Sequence, residues 1–534
     1  LEPNIQKTAE ENLRLCKKSF ERINAGIDFI VDNPKARLAF CFMNKAMAKK
    51  MEWDNRDNEN FGGLKWREFQ MAFILQSLKG VAGEDEEEKD TCEVLWFPTG
   101  GGKTEAYLGL SIFALGFRRL SQDESYENDG GVTVLSRYTL RLLTIQQFNR
   151  AVGSTLAADI LRITNWKPNK LSDSELEEIF GIDNSKNLWG KSRISIGMWI
   201  GGSITPNDFP VYIFPKTNEC TLNAAGALDP ESQEVKKTRT QKKSGEPAQV
   251  SNCPCCNNLL ATNSIKRDKP VIIRWLIKTP KSLETLQKLN QDDFNSKNHK
   301  LKIKDIEFSS PSNTISNENY FIFKAKLTVD SEKPDEIINK WWLEVVVTKI
   351  GTSENSPIES TSASRPGYFF VRTQNGRPYD YSIHCTNQNC ELNKPGTRWH
   401  ESNIENMVAS IGEPFRDPND EHFSSSIPVS AFTIDSQVYG KCPSFLIATA
   451  DKFARIPFES RSASIFGNVD VFHKRFGYGR DGNDDVERKA IYRSPLDQGE
   501  KLNTRLTLQD EDMTPVKSFH PPNLIIQDEL HLIE

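Results

Sequence analysis

The strongest chemical signal in the chain is a glycine-rich run, FPTGGGKTEAYLG, at residues 97–109. Consecutive glycines allow a sharp backbone turn that brings N–H groups close to a polyphosphate. Lys103 has the reach to contact the β- and γ-phosphates, and the hydroxyl of Thr104 is suited to Mg²⁺. A glycine-rich turn with a solvent-exposed lysine is the alternative interpretation. The residues predicted to surround the nucleotide phosphates are Thr99, Gly100, Gly101, Gly102, Lys103 and Thr104.

A pair of acids near the end of the sequence supplies the other half of such a site. The run NLIIQDELH at residues 523–531 places Asp528 and Glu529 directly after an apolar β-type segment. Asp528 is suited to hold Mg²⁺, directly or through water, and Glu529 to orient or deprotonate an attacking water. His531 completes the pattern DExH. Four residues are weak evidence alone, but together with the glycine-rich run they predict an ATP site.

Two close pairs of cysteines predict a structural zinc site. Cys253 and Cys256 have CxxC spacing, and Cys385 and Cys390 have C-x4-C spacing. Four thiolates in two such pairs suit tetrahedral Zn²⁺. Cys255 is then a spare thiol, His384 is an alternative ligand, and a set of unpaired buried thiols remains the non-metal interpretation.

The composition restricts the class of protein but does not identify a partner. Of 534 residues, 68 are Lys or Arg and 73 are Asp or Glu, and the formal net charge is -5. Hydrophobic residues make up 37%, which excludes collagen-like and low-complexity chains and argues against disorder. We see no apolar run of about 18 residues and no signal-peptide core, so we expect a cytoplasmic protein without a membrane span.

The elements that must position these residues alternate between strand and helix. Apolar periodicity predicts helices before residue 80 and over 103–119. Strand-like runs are predicted at 92–97, 132–135, 194–200, 445–448 and 523–527. This order indicates an α/β fold with a parallel sheet and a helical N-terminal region.

The middle of the chain interrupts this alternation. It is rich in polar residues, carries the cysteine pairs, and contains β-like runs at 271–277 and 341–347. We therefore predict a β-containing zinc-knuckle insertion that braces the protein, with the basic run at 235–243 as a solvated loop or a nucleic-acid contact. The predicted divisions are a helical region at 1–90, a first sheet part at 91–207, the insertion at 208–425, and a second sheet part at 426–534.

These motifs, in this order, resemble those of superfamily 2 DExH helicases, whose phosphate loop usually reads PTGxGKT. WREFQ at 66–70 resembles the Q-motif, in which Gln70 would bind the adenine edge; an ordinary helical glutamine is the alternative. The resemblance also implies three nucleic-acid motifs, VLSRYTLRLLTIQQF at 134–148, WIGGSITPN at 199–207 and ATADKF at 448–453. Their expected backbone contacts are Arg137, Tyr138, Thr139, Arg141, Gly202, Ser203, Thr449 and Lys452.

In detail the sequence is similar to helicases of the DISARM anti-phage system, which carry a characteristic C-terminal domain of unknown function. This resemblance implies ATP, Mg²⁺ and Zn²⁺ as cofactors, DNA as substrate and a DrmB-type companion protein. It also implies a second RecA lobe with an arginine finger, on another chain or a missing segment. We expect poor ATP hydrolysis without that lobe. A nucleotide-binding scaffold without turnover and an RNA helicase are the alternative functions.

Overall fold

The computed structural model describes most of the chain, with gaps. The described residues are 3–84, 91–97, 100–120, 125–127, 129–139, 141–169, 171–180, 188–209, 212–214, 219–230, 240–243, 245–295, 300–311, 319–351, 356–372, 378–393, 426–473, 477–480 and 513–528.

The helices are given in chain order. They are α1 Pro3–Asp32, α2 Pro34–Asp54, α3 Glu68–Ala82, α4 Lys103–Leu120, α5 Arg141–Ile163, α6 Asp173–Phe180, α7 Ala224–Leu228, α8 Leu283–Gln287, α9 Pro334–Trp341, α10 Val347–Ile350, α11 Asp435–Lys441 and α12 Ala450–Phe453.

The strands are numbered in the same way. They are β1 Val134–Tyr138, β2 Ile196–Trp199, β3 Tyr212–Phe214, β4 Glu219–Leu222, β5 Thr240–Lys243, β6 Pro270–Lys278, β7 Leu301–Ser309, β8 Tyr320–Val329, β9 Tyr368–Arg372, β10 Pro378–Ile383, β11 Ala431–Phe432, β12 Phe445–Thr449, β13 Val471–His473, β14 Gly477–Gly479, β15 Met513–Pro515 and β16 Leu524–Gln527.

A five-stranded parallel sheet forms the centre of the fold, in the order β11-β2-β12-β1-β16. All residues of β2 and β12 are buried, which explains their uninterrupted apolar sequences, because a parallel sheet is covered on both faces. In the register of the sheet, Tyr138 pairs with Thr449, and Arg137 pairs with Gln527. The carboxyl ends of three strands far apart in sequence therefore lie side by side, which confirms the predicted α/β class.

Helix α4, which follows the glycine-rich run, is enclosed by the N-terminal helices. Its central part is largely apolar, and nearly every residue after its first turn is buried, as expected for an interior helix. Two glycines let neighbours approach closely. A Cβ at Gly109 would lie 2.8 Å from the Trp66 ring, and one at Gly116 would lie 3.1 Å from Phe42 of α2. The helical N-terminal region thus holds α4, which we also call the phosphate-loop helix, in place.

The N-terminal helices have clear local start signals. Asn33 caps α2 by accepting hydrogen bonds from the backbone N–H groups of Lys35 and Ala36, and Pro34 occupies the first helical turn, where its missing N–H has no cost. At α3, the Gln70 side chain accepts a hydrogen bond from the Arg67 backbone N–H at 2.8 Å. Gly83 ends α3 in the left-handed conformation, which glycine adopts without strain. These signals confirm the predicted helical N-terminal region.

The insertion contains a second, aromatic core. Strands β6, β8 and β7 form an antiparallel sheet, and Trp275, Phe323 and the helical Trp341 and Trp342 pack together against it. The predicted strand-like run at 341–347 is wrong, because α9 continues through a π-helical turn, Trp342–Val346, into α10. Pro334 in the first turn, followed by two acids, starts a helix that overrides the β-propensity of the later valines.

The predicted strand at 92–97 is also wrong. These residues are described but have no regular secondary structure. Glu93 is fixed by ionic contact with Arg22, and Phe97 stacks on Phe69 with ring centroids 3.9 Å apart. A strand requires a hydrogen-bonded neighbour, and within the described residues this segment has none.

Two further predictions concern the insertion and the membrane. Residues 235–239 of the basic run lie outside the described residues, whereas 240–243 form β5 beside β4. The predicted division of the chain into four parts stays a prediction. Across the described helices, we find none with the length and apolar character that spanning a bilayer would need.

Candidate nucleotide and metal sites

The glycine-rich turn has the backbone that its sequence predicts. Gly100 has φ of 79° and Gly102 has φ of 92°, both in the left-handed region where a side chain is strained. A Cβ at Gly102 would also lie 2.9 Å from Gln70 Nε2. Lys103 begins α4 and is half-buried, and Thr104 is buried in its first turn. Thr99 lies outside the described residues.

The Q-motif residues contact the glycine-rich turn directly. Gln70 is buried, and its Nε2 donates to the Gly102 carbonyl at 2.7 Å while its Oε1 accepts from the Arg67 backbone. The Arg67 guanidinium donates to the Gly101 carbonyl at 2.6 Å. Both polar atoms of the Gln70 amide therefore engage protein groups. Its predicted contact with adenine stays a prediction.

Helix α4 and the end of β16 meet at the hydroxyl of Tyr107. This oxygen lies 3.1 Å from Thr104 Oγ1, 3.2 Å from the Tyr138 hydroxyl and 2.8 Å from Asp528 Oδ2. Tyr107 and Asp528 are 421 positions apart in the sequence. Thr104 and Asp528 are thus separated by no more than two hydrogen-bond lengths. These two oxygen ligands fit the side-chain chemistry that Mg²⁺ prefers.

Burial keeps the two tyrosines of this cluster protonated. Desolvation raises the pKa of Tyr107 far above its usual range, and the neighbouring Tyr138 and Asp528 raise it further. Burial likewise raises the pKa of Tyr138 to about 12. Both hydroxyls therefore remain hydrogen-bond donors near neutral pH.

Arg150 brings a positive charge from α5 to the same place. Its Nη1 donates to Thr104 Oγ1 at 3.0 Å, and its Nη2 forms an ion pair with Glu105. The charge lies beside the start of α4, where the helix terminus already favours anions. Arg150 is partly exposed, with 38% of its side chain accessible, so its guanidinium is within reach of a ligand at the glycine-rich turn.

Some predicted site residues cannot be placed. Glu529 and His531 lie outside the described residues. Arg141 is the first residue of α5, but its side chain is not described. The predicted roles of these three residues stay predictions.

Two hydroxyl groups of the predicted nucleic-acid motifs lie at the carboxyl edge of the sheet. Thr449 ends β12 and directly precedes α12 without a side-chain capping hydrogen bond, and Thr139 follows β1. Within the described residues, neither Oγ1 atom has a hydrogen-bond partner, although both are shielded from solvent. Arg137, one residue before Tyr138, donates to Gln527 and lies over the Phe453 ring, with its guanidinium carbon 5.7 Å from the ring centroid.

Other members of the predicted nucleic-acid set have different surroundings. Tyr138 is 1% exposed, with its hydroxyl beside Tyr107. Lys452 is 5% exposed and pairs with Asp435 in the interior. Gly202 and Ser203 lie in an exposed turn after β2. Of these four residues, only Gly202 and Ser203 lie at the surface.

An exposed aromatic residue follows α12 in the sequence. Phe458 is 88% exposed, in the 3₁₀ turn Ile456–Phe458 that follows α12. Arg455, at the start of that turn, is exposed as well. An aromatic ring beside a cation is a feature of surfaces on which nucleic-acid bases stack.

The four predicted zinc ligands form one cluster. Their sulfur atoms all lie within 4.8 Å of one another, with Cys253 Sγ 3.8 Å from Cys390 Sγ and Cys256 Sγ 3.5 Å from Cys385 Sγ. Tetrahedral zinc with Zn–S bonds of about 2.3 Å requires sulfur atoms roughly 3.8 Å apart. The geometry therefore fits a Cys₄ zinc ion.

The four thiols have unequal proton affinities. Hydrogen bonds from Cys253, Cys385 and Cys390 lower the pKa of Cys256, whereas burial raises the pKa of Cys253 and hydrogen bonds with the neighbouring thiols raise the pKa of Cys390. The ring nitrogens of His384 contact the hydroxyls of Ser426 and Ser382, at 3.2 and 3.1 Å. Neither His384 nor Cys255 belongs to the cluster.

The cysteine cluster also contacts the N-terminal helices. Lys49 of α2 forms a 2.5 Å ion pair with Glu391, next to Cys390. The Arg56 guanidinium donates to the Pro254 carbonyl at 3.4 Å. Because α2 packs on α4, a chain of contacts runs from the two knuckles to the phosphate-loop helix.

Sequence reasoning missed three residues of the candidate nucleotide site, namely Arg67, Tyr107 and Arg150. Tyr107 had a usable signal, because it lies three residues after Thr104 and hence on the same helical face. Arg67 lies within the run WREFQ, but its contact with Gly101 arises only from tertiary packing. Arg150 also reaches the turn only through packing, and no local pattern marks it.

The comparisons with known proteins give one curated relative. No known protein-family profile matches the chain. The chain is 27% identical over 542 residues to the DISARM protein DrmA of Bacillus paralicheniformis, an alignment that covers 99% of this chain. The chain spans about a third, 32%, of the length of that relative. Along nearly its whole length, the chain therefore resembles the DISARM protein DrmA.

Proposed function

We propose that this chain forms the ATP-binding lobe of a motor that moves on DNA in a DISARM-type defence against bacteriophages. One observation carries the proposal. The 2.8 Å hydrogen bond between the Tyr107 hydroxyl and Asp528 joins the phosphate-loop helix to the acidic strand end. The resemblance to DrmA supports the defence role.

The residues at the start of α4 would bind the triphosphate. Lys103 and Arg150 supply positive charge on two sides of Thr104, and the helix N-terminus adds to it. Thr104 and Asp528 would hold Mg²⁺, which supplies electrostatic stabilisation of the charge that develops during phosphoryl transfer. Glu529 would orient the attacking water. Gln70 and Arg67 would respond to nucleotide binding, since both donate hydrogen bonds to carbonyl groups of the glycine-rich turn.

ATP hydrolysis would be coupled to movement along DNA through strands β1 and β12. Tyr138 lies in the nucleotide cluster, and the next residue, Thr139, belongs to a predicted DNA motif. Thr139 and Thr449 have hydroxyl groups without partners among the described residues, and hydroxyls at such positions bind phosphate without reading sequence. Phe458 would add base stacking. A small shift at the nucleotide would thereby move the DNA-contacting edge.

The remaining parts of the proposal come from the resemblance. A second RecA lobe, on another chain or segment, would supply the arginine finger. A DrmB-type protein would be the companion. The zinc cluster would brace the insertion against α2 through the ion pair of Lys49 with Glu391.

ATP hydrolysis by the intact protein tests the proposal, with single-stranded DNA, RNA or no nucleic acid added. We expect stimulation by DNA that both Lys103→Ala and Glu529→Gln abolish, and loss of phage protection in the same variants. Unchanged protection in both variants would favour a scaffold without turnover. Stimulation by RNA in preference to DNA would favour an RNA helicase.

A further inference from the structure

A single buried hydroxyl connects three functional segments of the nucleotide site. Tyr107 is 7% exposed, and its oxygen contacts Thr104, Tyr138 and Asp528 within 3.2 Å. A tyrosine hydroxyl has one proton to donate and two lone pairs that accept. Three neighbours are therefore the most that it can satisfy.

The chemistry of the neighbours limits the direction of each bond. A carboxylate only accepts, so Asp528 accepts from Tyr107. The geometry also makes Thr104 Oγ1 an acceptor for the same proton, whereas the contact with Tyr138 can run in either direction. Thr104 Oγ1 accepts from Arg150 as well. The single proton of Tyr107 is therefore shared between the two proposed metal ligands.

The arrangement holds the oxygens of Thr104 and Asp528 against one hydroxyl. Because both oxygens accept from the same group, Tyr107 fixes their positions relative to each other. A magnesium ion bound to Thr104 Oγ1 would take the place of one of its two donors, Tyr107 or Arg150. At Asp528, the bond from Tyr107 fixes the rotation of the carboxylate.

We infer that Tyr107 is a positioning residue that orients Thr104 and Asp528 together as ligands of the magnesium ion of Mg-ATP. The inference rests on the proposed function, because it requires that this site binds Mg-ATP. Residues that hydrogen-bond to metal ligands typically change metal affinity by about 10–100-fold when they are replaced. The same hydroxyl contacts Tyr138 at the end of β1, so it also ties this orientation to the DNA-facing edge of the sheet.

A magnesium titration of nucleotide binding tests the inference in the intact protein. The fluorescence of a labelled ATP is measured with EDTA and then at rising free Mg²⁺, for wild type and Tyr107→Phe. We expect Tyr107→Phe to raise the Mg²⁺ concentration at half-saturation about 10–100-fold and to leave binding in EDTA within about twofold of wild type. Tyr381→Phe is the matched control. It removes another buried hydroxyl, which lies 2.7 Å from Thr433 Oγ1, and should titrate as wild type.

Three results would overturn the inference. The first is an unchanged Mg²⁺ titration in folded Tyr107→Phe. The second is a loss of ATP binding that is as large in EDTA as in Mg²⁺, and the third is loss of the fold. The last two results would assign Tyr107 a purely structural role. A double-mutant cycle adds a second measurement. Once Thr104→Val has removed the metal-binding hydroxyl, Tyr107→Phe should cause little further change, whereas additive effects would contradict the coupling. If wild type binds no labelled ATP, the proposed function itself fails.

Discussion

The zinc cluster offers a prediction with a built-in control. Cys390→Ser removes one of the four clustered thiols, whereas Cys255→Ser removes a thiol of the first knuckle that lies outside the cluster. The Cys255 sulfur lies 4.0 Å from a carboxylate oxygen of Glu391. Both variants replace a buried cysteine by the same residue, so a difference between them reports on metal ligation.

The separation of the two knuckles in the sequence sets the stability that loss of zinc should remove. Zinc would join Cys253 to Cys390 and Cys256 to Cys385, which are 137 and 129 positions apart. A link that closes a loop of about 130 residues lowers the entropy of the unfolded chain by roughly 5 kcal/mol at 25 °C. With about 2–4 °C of melting temperature per kcal/mol for a unit of 150–250 residues, loss of zinc should lower the melting temperature of the insertion by on the order of 10 °C.

Metal analysis and thermal unfolding measure the two consequences. We expect one zinc ion per chain in wild type and in Cys255→Ser, and substoichiometric zinc with a lower melting temperature in Cys390→Ser. Full zinc retention in Cys390→Ser would refute the Cys₄ assignment. Equal zinc loss in Cys255→Ser would show that the ligand set is different.

Three further predictions concern the remaining sites. Gly102→Ala should weaken ATP binding at least about tenfold, since alanine is strained at positive φ and its Cβ would lie 2.9 Å from Gln70 Nε2; calorimetric titration with ATP measures this, and wild-type affinity would contradict it. Phe458→Ala should weaken binding of single-stranded DNA by about 1–3 kcal/mol if its ring stacks on a base; fluorescence anisotropy at fixed salt measures this, and unchanged affinity would remove Phe458 from the DNA path. Burial raises the pKa of Asp435 to about 6, against the opposing effect of Lys452. Because this folded-state pKa lies above the unfolded value of about 3.9, the carboxyl's contribution to stability is present below pH 4 and is lost as pH rises to 6. The stability of wild type relative to Asp435→Asn should therefore fall by up to about 3 kcal/mol over that range in urea unfolding, and a constant difference would contradict the assignment.

The sequence predicted the parts of the fold whose signals are local. The apolar runs at 194–200 and 445–448 found β2 and β12, because strands buried on both faces have no polar alternation. The cysteine spacing found the four clustered thiols, because each knuckle is a short-range feature. In both cases a few neighbouring residues carry the whole signal.

Predictions failed where a distant partner decides the structure. The run at 92–97 has strand-like residues but no pairing partner among the described residues. The valines near 345 follow a helix that Pro334 and two acids begin. Tyr107 and Arg150 joined the site only through packing of α4 against β16 and α5.

We propose that the glycine-rich turn and the end of β16 form one ATP site. Calorimetric titration of the intact protein with ATP and Mg²⁺, for wild type and Lys103→Ala, tests it most directly. We expect saturable binding by wild type and at least about tenfold weaker binding by Lys103→Ala, since the lysine charge acts on the phosphates. Absence of binding in folded wild type, or equal binding by both proteins, would contradict it.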